Sequence, residues 1–91
     1  MKVVWSRRAL RQLRDAHAYI ARDNPTAARE FLDAAEALAT KLGEFPGMGL
    51  ETDEPGVILF PFVRYRYLLY YEIRGETVYV LRLWHASRKR P

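Results

Sequence analysis

The chain of 91 residues contains no cysteine, which excludes a disulfide framework and a thiolate zinc site. With only two histidines besides, we expect no metal centre and no other cofactor. No apolar run approaches the roughly 20 residues that a membrane-spanning helix needs. The segment 1–6 also lacks the long apolar stretch of a signal peptide. These absences predict a cytoplasmic protein that does not associate with a membrane.

Charge and apolar residues are plentiful instead. Hydrophobic residues make up 49% of the chain, and the formal net charge is +4. A length of 91 residues predicts one domain over 1–91. Arginines are concentrated in the amino-terminal third, at Arg7, Arg8, Arg11, Arg14 and Arg22, whereas acidic residues cluster at 51–54. Such a basic face could bind nucleic acid or an acidic protein, or it could be a solvated helix surface.

Hydrophobic periodicity predicts a helical hairpin in the first half. After a short strand at Lys2–Trp5, Ser6 is a suitable N-cap for a helix over Arg7–Arg22. The second predicted helix spans Pro25–Leu42, with proline at its first position and Gly43 as the expected C-cap. The short connection between the helices requires them to be antiparallel.

The second half predicts strands. A polar loop runs to Gly56, and Val57–Val63 is an apolar strand whose Pro61 suits a sheet edge or a bulge. Two aromatic and aliphatic runs, 64–73 and 77–85, flank an Arg74-Gly75-Glu76 turn and indicate a β-hairpin. The predicted fold class is therefore α+β. A helical hairpin would pack on one face of a mostly antiparallel four-stranded sheet, in the order strand-helix-helix-strand-strand-strand.

Alternation along the hairpin predicts two faces. In the first strand, Tyr67, Leu69, Tyr71 and Ile73 share one side. In the second, Tyr79, Leu81 and Leu83 oppose Val78, Val80, Arg82 and Trp84. One side of the sheet should cover the helices. The other should keep Arg66, Tyr70 and Arg82 among apolar residues, and it is a candidate binding surface.

Cationic side chains concentrate at the open end of this hairpin. They are Arg64, Arg66, Arg82, His85 and Arg88. Arginine can bind phosphate through two parallel hydrogen bonds and histidine can transfer protons near neutral pH, so this set could serve RNA cleavage. Alternatively, Arg66 and Arg82 could pair with Glu72 or Glu76 across the strands. His17, on the apolar stripe of the first helix, is expected to be a partly buried imidazole rather than a ligand.

An ordered set of short motifs resembles the RelE/ParE superfamily of bacterial type II toxins. The matching pieces are Val4-Trp5-Ser6, Tyr19-Ile20-Ala21, Asn24-Pro25 with Ala27-Ala28, Phe45-Pro46 with Met48-Gly49, Tyr70-Tyr71-Glu72-Ile73, and Val80-Leu81-Arg82-Leu83-Trp84-His85. The Asp23-Asn24-Pro25 turn and the His85-x-x-Arg88 ending resemble the ParE branch more closely.

This resemblance implies a function as well as a fold. A ParE-like toxin would inhibit DNA gyrase without being an enzyme, and a cognate antitoxin would neutralise it. The target-binding residues would then be Arg66, Arg82, His85, Arg88, Lys89 and Arg90. The alternative is a RelE-like toxin that cleaves mRNA on the ribosome, for which Arg64, Arg82 and His85 would be catalytic. A third reading is an inert relative. One departure from the superfamily is the acidic 51–54 segment, where relatives often carry an arginine.

Overall fold

A computed structural model describes residues 1–87 of the chain. Two helices follow a short first strand, and a β-sheet occupies the second half. The elements are β1 (Lys2–Trp5), α1 (Arg7–Ala21), α2 (Pro25–Glu44), β2 (Leu50–Glu51), β3 (Ile58–Phe62), a 3₁₀ turn (Val63–Tyr65), β4 (Tyr67–Arg74) and β5 (Thr77–His85). In this part of the chain, neither helix is both long and apolar enough to cross a lipid bilayer.

The predicted helical hairpin is confirmed. The Ser6 Oγ accepts from the Ala9 N–H at 3.0 Å, and the Asn24 Oδ1 accepts from the Ala27 N–H at 3.0 Å. Both side chains therefore satisfy amides that the first turn of a helix leaves free. The helix α1 ends one residue earlier than predicted, at Ala21.

The expected C-cap at Gly43 is wrong, because α2 continues to Glu44 and Phe45 caps it. Gly43 is buried inside the helix. A Cβ at this position would lie 2.7 Å from the carbonyl oxygen of Met1, which is too close for real atoms. The Met1 nitrogen also donates to the Gly43 carbonyl at 2.7 Å. Glycine is needed here because β1 passes close to the helix backbone, not because the helix stops.

The sheet has five strands rather than the predicted four, in the order β1-β5-β4-β3-β2. Three of the four strand pairings are antiparallel, and β1 joins β5 in parallel. The additional strand is β2, which the sequence predicts as polar loop. It has two residues, both exposed, and pairs Leu50 with Leu59 and Glu51 with Ile58. So short an edge strand carries no hydrophobic alternation to reveal it.

The two faces of the sheet pack differently. On the helix-covered face, Tyr67, Leu69 and Tyr71 of β4 meet Phe31 and Leu42 of α2 in the main core. The opposite face, called the open face here, carries a smaller cluster that contains Leu68 and Tyr70 but no helix residue. The predicted side for Tyr67, Leu69 and Tyr71 is therefore confirmed.

A bulge in β5 changes the alternation of that strand. Tyr70 pairs with Arg82 and Tyr71 with Val80, which leaves Leu81 unpaired across the hairpin. An extra residue in one strand shifts every later side chain to the other face. As a result Leu83 joins Val78 and Val80 in the main core, and does not share a face with Leu81 as the strict alternation predicts.

Candidate functional site

The bulge places Arg82 on the open face, and two side chains of the α1 region bond to β5 around it. The Ser6 Oγ donates to the Leu81 carbonyl at 2.9 Å, and the Gln12 Oε1 accepts from the Leu83 N–H at 2.8 Å. The strand β1 ends at Trp5 and no longer supplies backbone partners at this level of the sheet. Ser6 and Gln12 therefore satisfy the backbone groups on either side of Arg82.

Arg82 itself is almost fully covered, with only 12% of its side chain exposed. Its guanidinium carbon lies 4.2 Å from the centroid of the Tyr70 ring, and its Nη2 donates to the Glu54 Oε1 at 2.9 Å. The expected pairing with Glu72 or Glu76 is wrong for this arginine, since Glu72 pairs with Arg74 of the same strand. The buried Arg82 Nε has no hydrogen-bond partner within residues 1–87.

A recess of about 480 Å³ opens beside Arg82. The open-face residues Leu59, Tyr70 and Arg82 line it from the sheet, and the acidic segment 51–54 lines it from the loop. Its three carboxylates, from Glu51, Asp53 and Glu54, outnumber the single arginine. The candidate binding face thus has an acidic edge and a covered cation.

The loop that carries Glu54 is held by one threonine. The Thr52 Oγ1 donates to the Val57 carbonyl at 2.9 Å and accepts from the Glu54 N–H at 3.2 Å. The Glu54 carbonyl in turn accepts from the Val57 N–H at 3.1 Å. The backbone of Glu54 is therefore fixed, although 58% of its side chain is exposed.

A second group of cations lies at the open end of the hairpin. Arg66 is exposed and closes the 3₁₀ turn in the left-handed conformation, with φ 59°. Its carbonyl accepts from the Ala86 N–H at 2.7 Å, which joins the start of β4 to the segment after β5. Non-glycine residues seldom adopt this conformation, because the Cβ crowds the following carbonyl. No ion pair of Arg66 occurs in the described part of the chain.

His85 and Arg64 lie at the same end. The imidazole of His85 packs edge-on against Tyr67, with ring centroids 5.0 Å apart, and its Nδ1 accepts from the Ser87 N–H at 3.2 Å. Arg64 is exposed and its Nη2 lies 3.2 Å from the Glu30 Oε2 of α2. Of the predicted target-binding residues, the structure brings Arg66 and His85 together. Arg88, Lys89 and Arg90 lie outside the described residues.

Arg82 and His85 do not converge. Leu83 belongs to the main core, and His85 contacts Tyr67 of the same core, so both are on the helix-covered face. Arg82 contacts Tyr70 on the open face. The three residues that would be catalytic in a nuclease are therefore distributed over two faces of the sheet. Within residues 1–87, no group of three or more acidic or histidine side chains could hold a metal ion.

An apolar groove of about 340 Å³ lies on the helical side, apart from these cations. It runs between the two helices and the end of β1, and its lining is Trp5, Leu10, Leu13, Leu32, Ala35, Glu36 and Ala39. The exposed arginines Arg7, Arg11 and Arg14 share the helix α1 with Leu10 and Leu13. They make no ion pair with any residue that the structure describes.

Two functional features could not be read from the sequence. The first is the contact between Glu54 and Arg82, 28 positions apart, for which the acidic run at 51–54 was the only signal. The second is Tyr71, whose hydroxyl donates to the Pro46 carbonyl at 2.7 Å and accepts from the Gly49 N–H at 3.2 Å. Burial raises the pKa of Tyr71 above its usual value of 10.0, and the Gly49 hydrogen bond opposes that rise.

Comparison with known proteins gives a consistent result. The family model described as the ParE toxin of the type II toxin–antitoxin system, parDE, matches residues 3–90. Among solved structures, a chain from a "Chromosomal ParDE TA system from P. aeruginosa" is similar, with a TM-score of 0.74 and 17% sequence identity. That match covers 96% of this chain and 97% of the other. The curated proteins give no match. At this identity the solved structure supports the fold, whereas the family model covers nearly the whole chain.

Proposed function

Because the chain belongs to the ParE toxin family of type II toxin–antitoxin systems, we propose that it arrests growth by binding DNA gyrase in the cytoplasm. A cognate antitoxin would keep it inactive. Binding rather than catalysis is the proposed mode of action, with no cofactor. The target surface would combine Arg82 on the open face with Arg66 and His85 at the end of the sheet, and we expect Arg88, Lys89 and Arg90 to take part in target binding as well.

One observation favours binding over RNA cleavage. Cleavage through the 2′-hydroxyl needs an acid, a base and a cation around one phosphate, all within hydrogen-bond reach of it. Arg82 and His85 occupy opposite faces of the sheet, and Arg64 is paired with Glu30. A protein partner that wraps the end of the sheet can touch both faces, whereas a single phosphate cannot.

The apolar groove supports the antitoxin part of the proposal. Its lining from Leu10, Leu13 and Leu32 suits the apolar face of an amphipathic segment, which is a common way for a helix to dock in a groove. The unpaired arginines of α1 would attract an acidic antitoxin and speed association at low salt. We therefore expect the antitoxin to bind on the helical side of the sheet, without changing the position or contacts of Arg82 on the open face.

The test compares the two possible targets in one experiment. Purified gyrase is assayed for DNA supercoiling with the toxin alone and with the toxin plus its antitoxin. Cellular mRNA from expressing cells is analysed by primer extension in parallel. We expect supercoiling to fall with the toxin and to recover with the antitoxin, with mRNA intact. Cleavage of mRNA at codon spacing with supercoiling unaffected would instead establish the nuclease. No growth arrest at all would identify an inert relative.

A further inference from the structure

Glu54 occupies the position beside Arg82 that an acidic group of a binding partner would otherwise take, so it can compete with such a group for the arginine. Within the recess, Arg82 is the only cation, and Glu54 is its only ion-pair partner among residues 1–87. Resting on the proposed gyrase-binding function, we propose that Glu54 masks Arg82. The target would displace Glu54 by placing one of its own acidic side chains in the recess beside Arg82.

The two partners differ in how easily they can move. Arg82 lies over the Tyr70 ring and is fixed by the bulge, whose neighbouring backbone groups bond to Ser6 and Gln12. Glu54 is more than half exposed. If a target carboxylate is to replace Glu54 beside Arg82, the glutamate side chain must therefore move, because the arginine is held by its packing on the open face.

The loop permits that exchange without unfolding. The Glu54 N–H and carbonyl are bonded to Thr52 and Val57, so the backbone stays closed while the side chain rotates into solvent. Because Glu54 is more than half exposed, water can solvate its carboxylate once the contact with Arg82 opens, so the cost of opening this pair is small. A target that supplies several contacts can meet such a cost.

The recess also offers a reason for a mask. While Glu54 is in place it neutralises Arg82, and Glu51 and Asp53 on the edge of the recess repel a small anion that approaches. Only an acidic side chain held in place by further contacts can replace Glu54. The mask would thereby suppress binding of small anions to the toxin.

The proposal is tested with Glu54→Gln, which keeps the shape of the side chain but removes its charge. The matched control is Glu51→Gln, which removes the same charge from the same recess but leaves the Arg82 pair intact. Inhibition of purified gyrase is titrated for both variants and for Arg82→Ala. We expect Glu54→Gln to inhibit at an about two- to fivefold lower concentration than the unmodified chain. Glu51→Gln should change this concentration by less than about twofold, since exposed single charges contribute little.

The double variant Glu54→Gln/Arg82→Ala should be no more active than Arg82→Ala alone, because the mask then has nothing to cover. Equal effects of Glu54→Gln and Glu51→Gln would overturn the proposal, as would weaker inhibition by a folded Glu54→Gln chain. Thermal unfolding establishes that each variant is folded. Should Glu54→Gln fail to fold, Thr52→Val loosens the same loop and should shift inhibition in the same direction; no shift would refute the mask.

Failure of the proposed target gives a different result. If the unmodified chain does not inhibit gyrase, the gyrase proposal fails, and growth arrest of cells expressing the same variants tests the mask instead. Earlier arrest with Glu54→Gln than with Glu51→Gln would still support the mask. Equal arrest would overturn it whatever the target is.

Discussion

Arg82 and Arg66 belong to the same hairpin but lie in opposite settings. Arg82 is 12% exposed, stacked on Tyr70 and paired with Glu54. Arg66 is exposed, without an ion pair among residues 1–87, and held in a left-handed backbone conformation. From sequence alone both are equivalent cations of one surface. We therefore expect removal of Arg82 to disturb packing as well as charge, and removal of Arg66 to leave the core intact.

The largest expected effect is that of Arg82→Ala. The amount of protein needed for growth arrest should rise by about thirtyfold or more. This corresponds to about 2 kcal/mol of binding free energy, which is typical for truncation of a central interface residue. It should also lower the free energy of unfolding by about 1–2 kcal/mol, because the alkyl stem and the Tyr70 contact are lost together. Growth on inducing plates and urea unfolding measure the two effects. Full toxicity in a folded variant would remove Arg82 from the target surface.

The next effect separates function from stability at Arg66. Arg66→Gly should reduce growth arrest by about tenfold, the loss of one charge-assisted contact (about 1.4 kcal/mol). Its stability should nevertheless not fall, since glycine adopts φ 59° without a clash of its Cβ.

Arg66→Ala is the matched control, because alanine removes the same guanidinium but keeps the strained backbone. We expect it to be as weakly toxic as Arg66→Gly and less stable than that variant by about 1 kcal/mol. Urea unfolding of the two purified variants measures this difference. If the two are equally stable, the left-handed conformation is not strained.

A third change tests the helix-covered side of the comparison. Tyr71→Phe removes the hydroxyl that bonds to Pro46 and Gly49, and should lower the free energy of unfolding by about 1 kcal/mol. Growth arrest should be unchanged at temperatures where the variant is folded, because Tyr71 is fully buried away from both cations. Reduced toxicity in a chain that remains folded would show that the 46–49 loop contributes to the target surface.

The smallest effect is the response of stability to alkaline pH. Burial raises the pKa of Tyr71 in the folded chain above 10.0, so the unfolded chain loses this proton first as the pH rises. The stabilisation is therefore complete below about pH 9 and declines above about pH 10. Urea unfolding from about pH 9 to values above about pH 10 should show a steeper loss of stability for the unmodified chain than for Tyr71→Phe. Parallel losses would mean that Tyr71 ionises equally easily in both states.

The helices and the hairpin could be predicted because their signals are local. Ser6, Asn24 and Pro25 are caps or first-turn residues whose chemistry depends on the next three amides. The hairpin turn at Gly75 likewise needs only its own positive φ and the flanking strands. The family resemblance implied the same fold, and the family model agrees over residues 3–90.

The remaining features depend on contacts between distant segments. The bulge at Leu81 lies where β1 has stopped and β5 continues, and no pattern within β5 itself predicts it. The role of Gly43 follows from the passage of Met1, 42 positions away. The Glu54 pair needs both the bulge and the Thr52 turn. Sequence reasoning therefore placed Arg82 beside Tyr70 on one face of the sheet, but it gave neither the bulge nor the Glu54 pair.

The parallel pairing of β1 with β5 has a consequence for how the molecule matures. Lys2 finds its neighbour Thr77 only 75 positions later. At a synthesis rate of 5–20 residues per second, the first strand waits about 4–15 s for its place in the sheet to exist. Until then the apolar faces of the helices lack the complete sheet on which they pack. The proposed target surface on β4 and β5 can therefore form only after β5 has been translated.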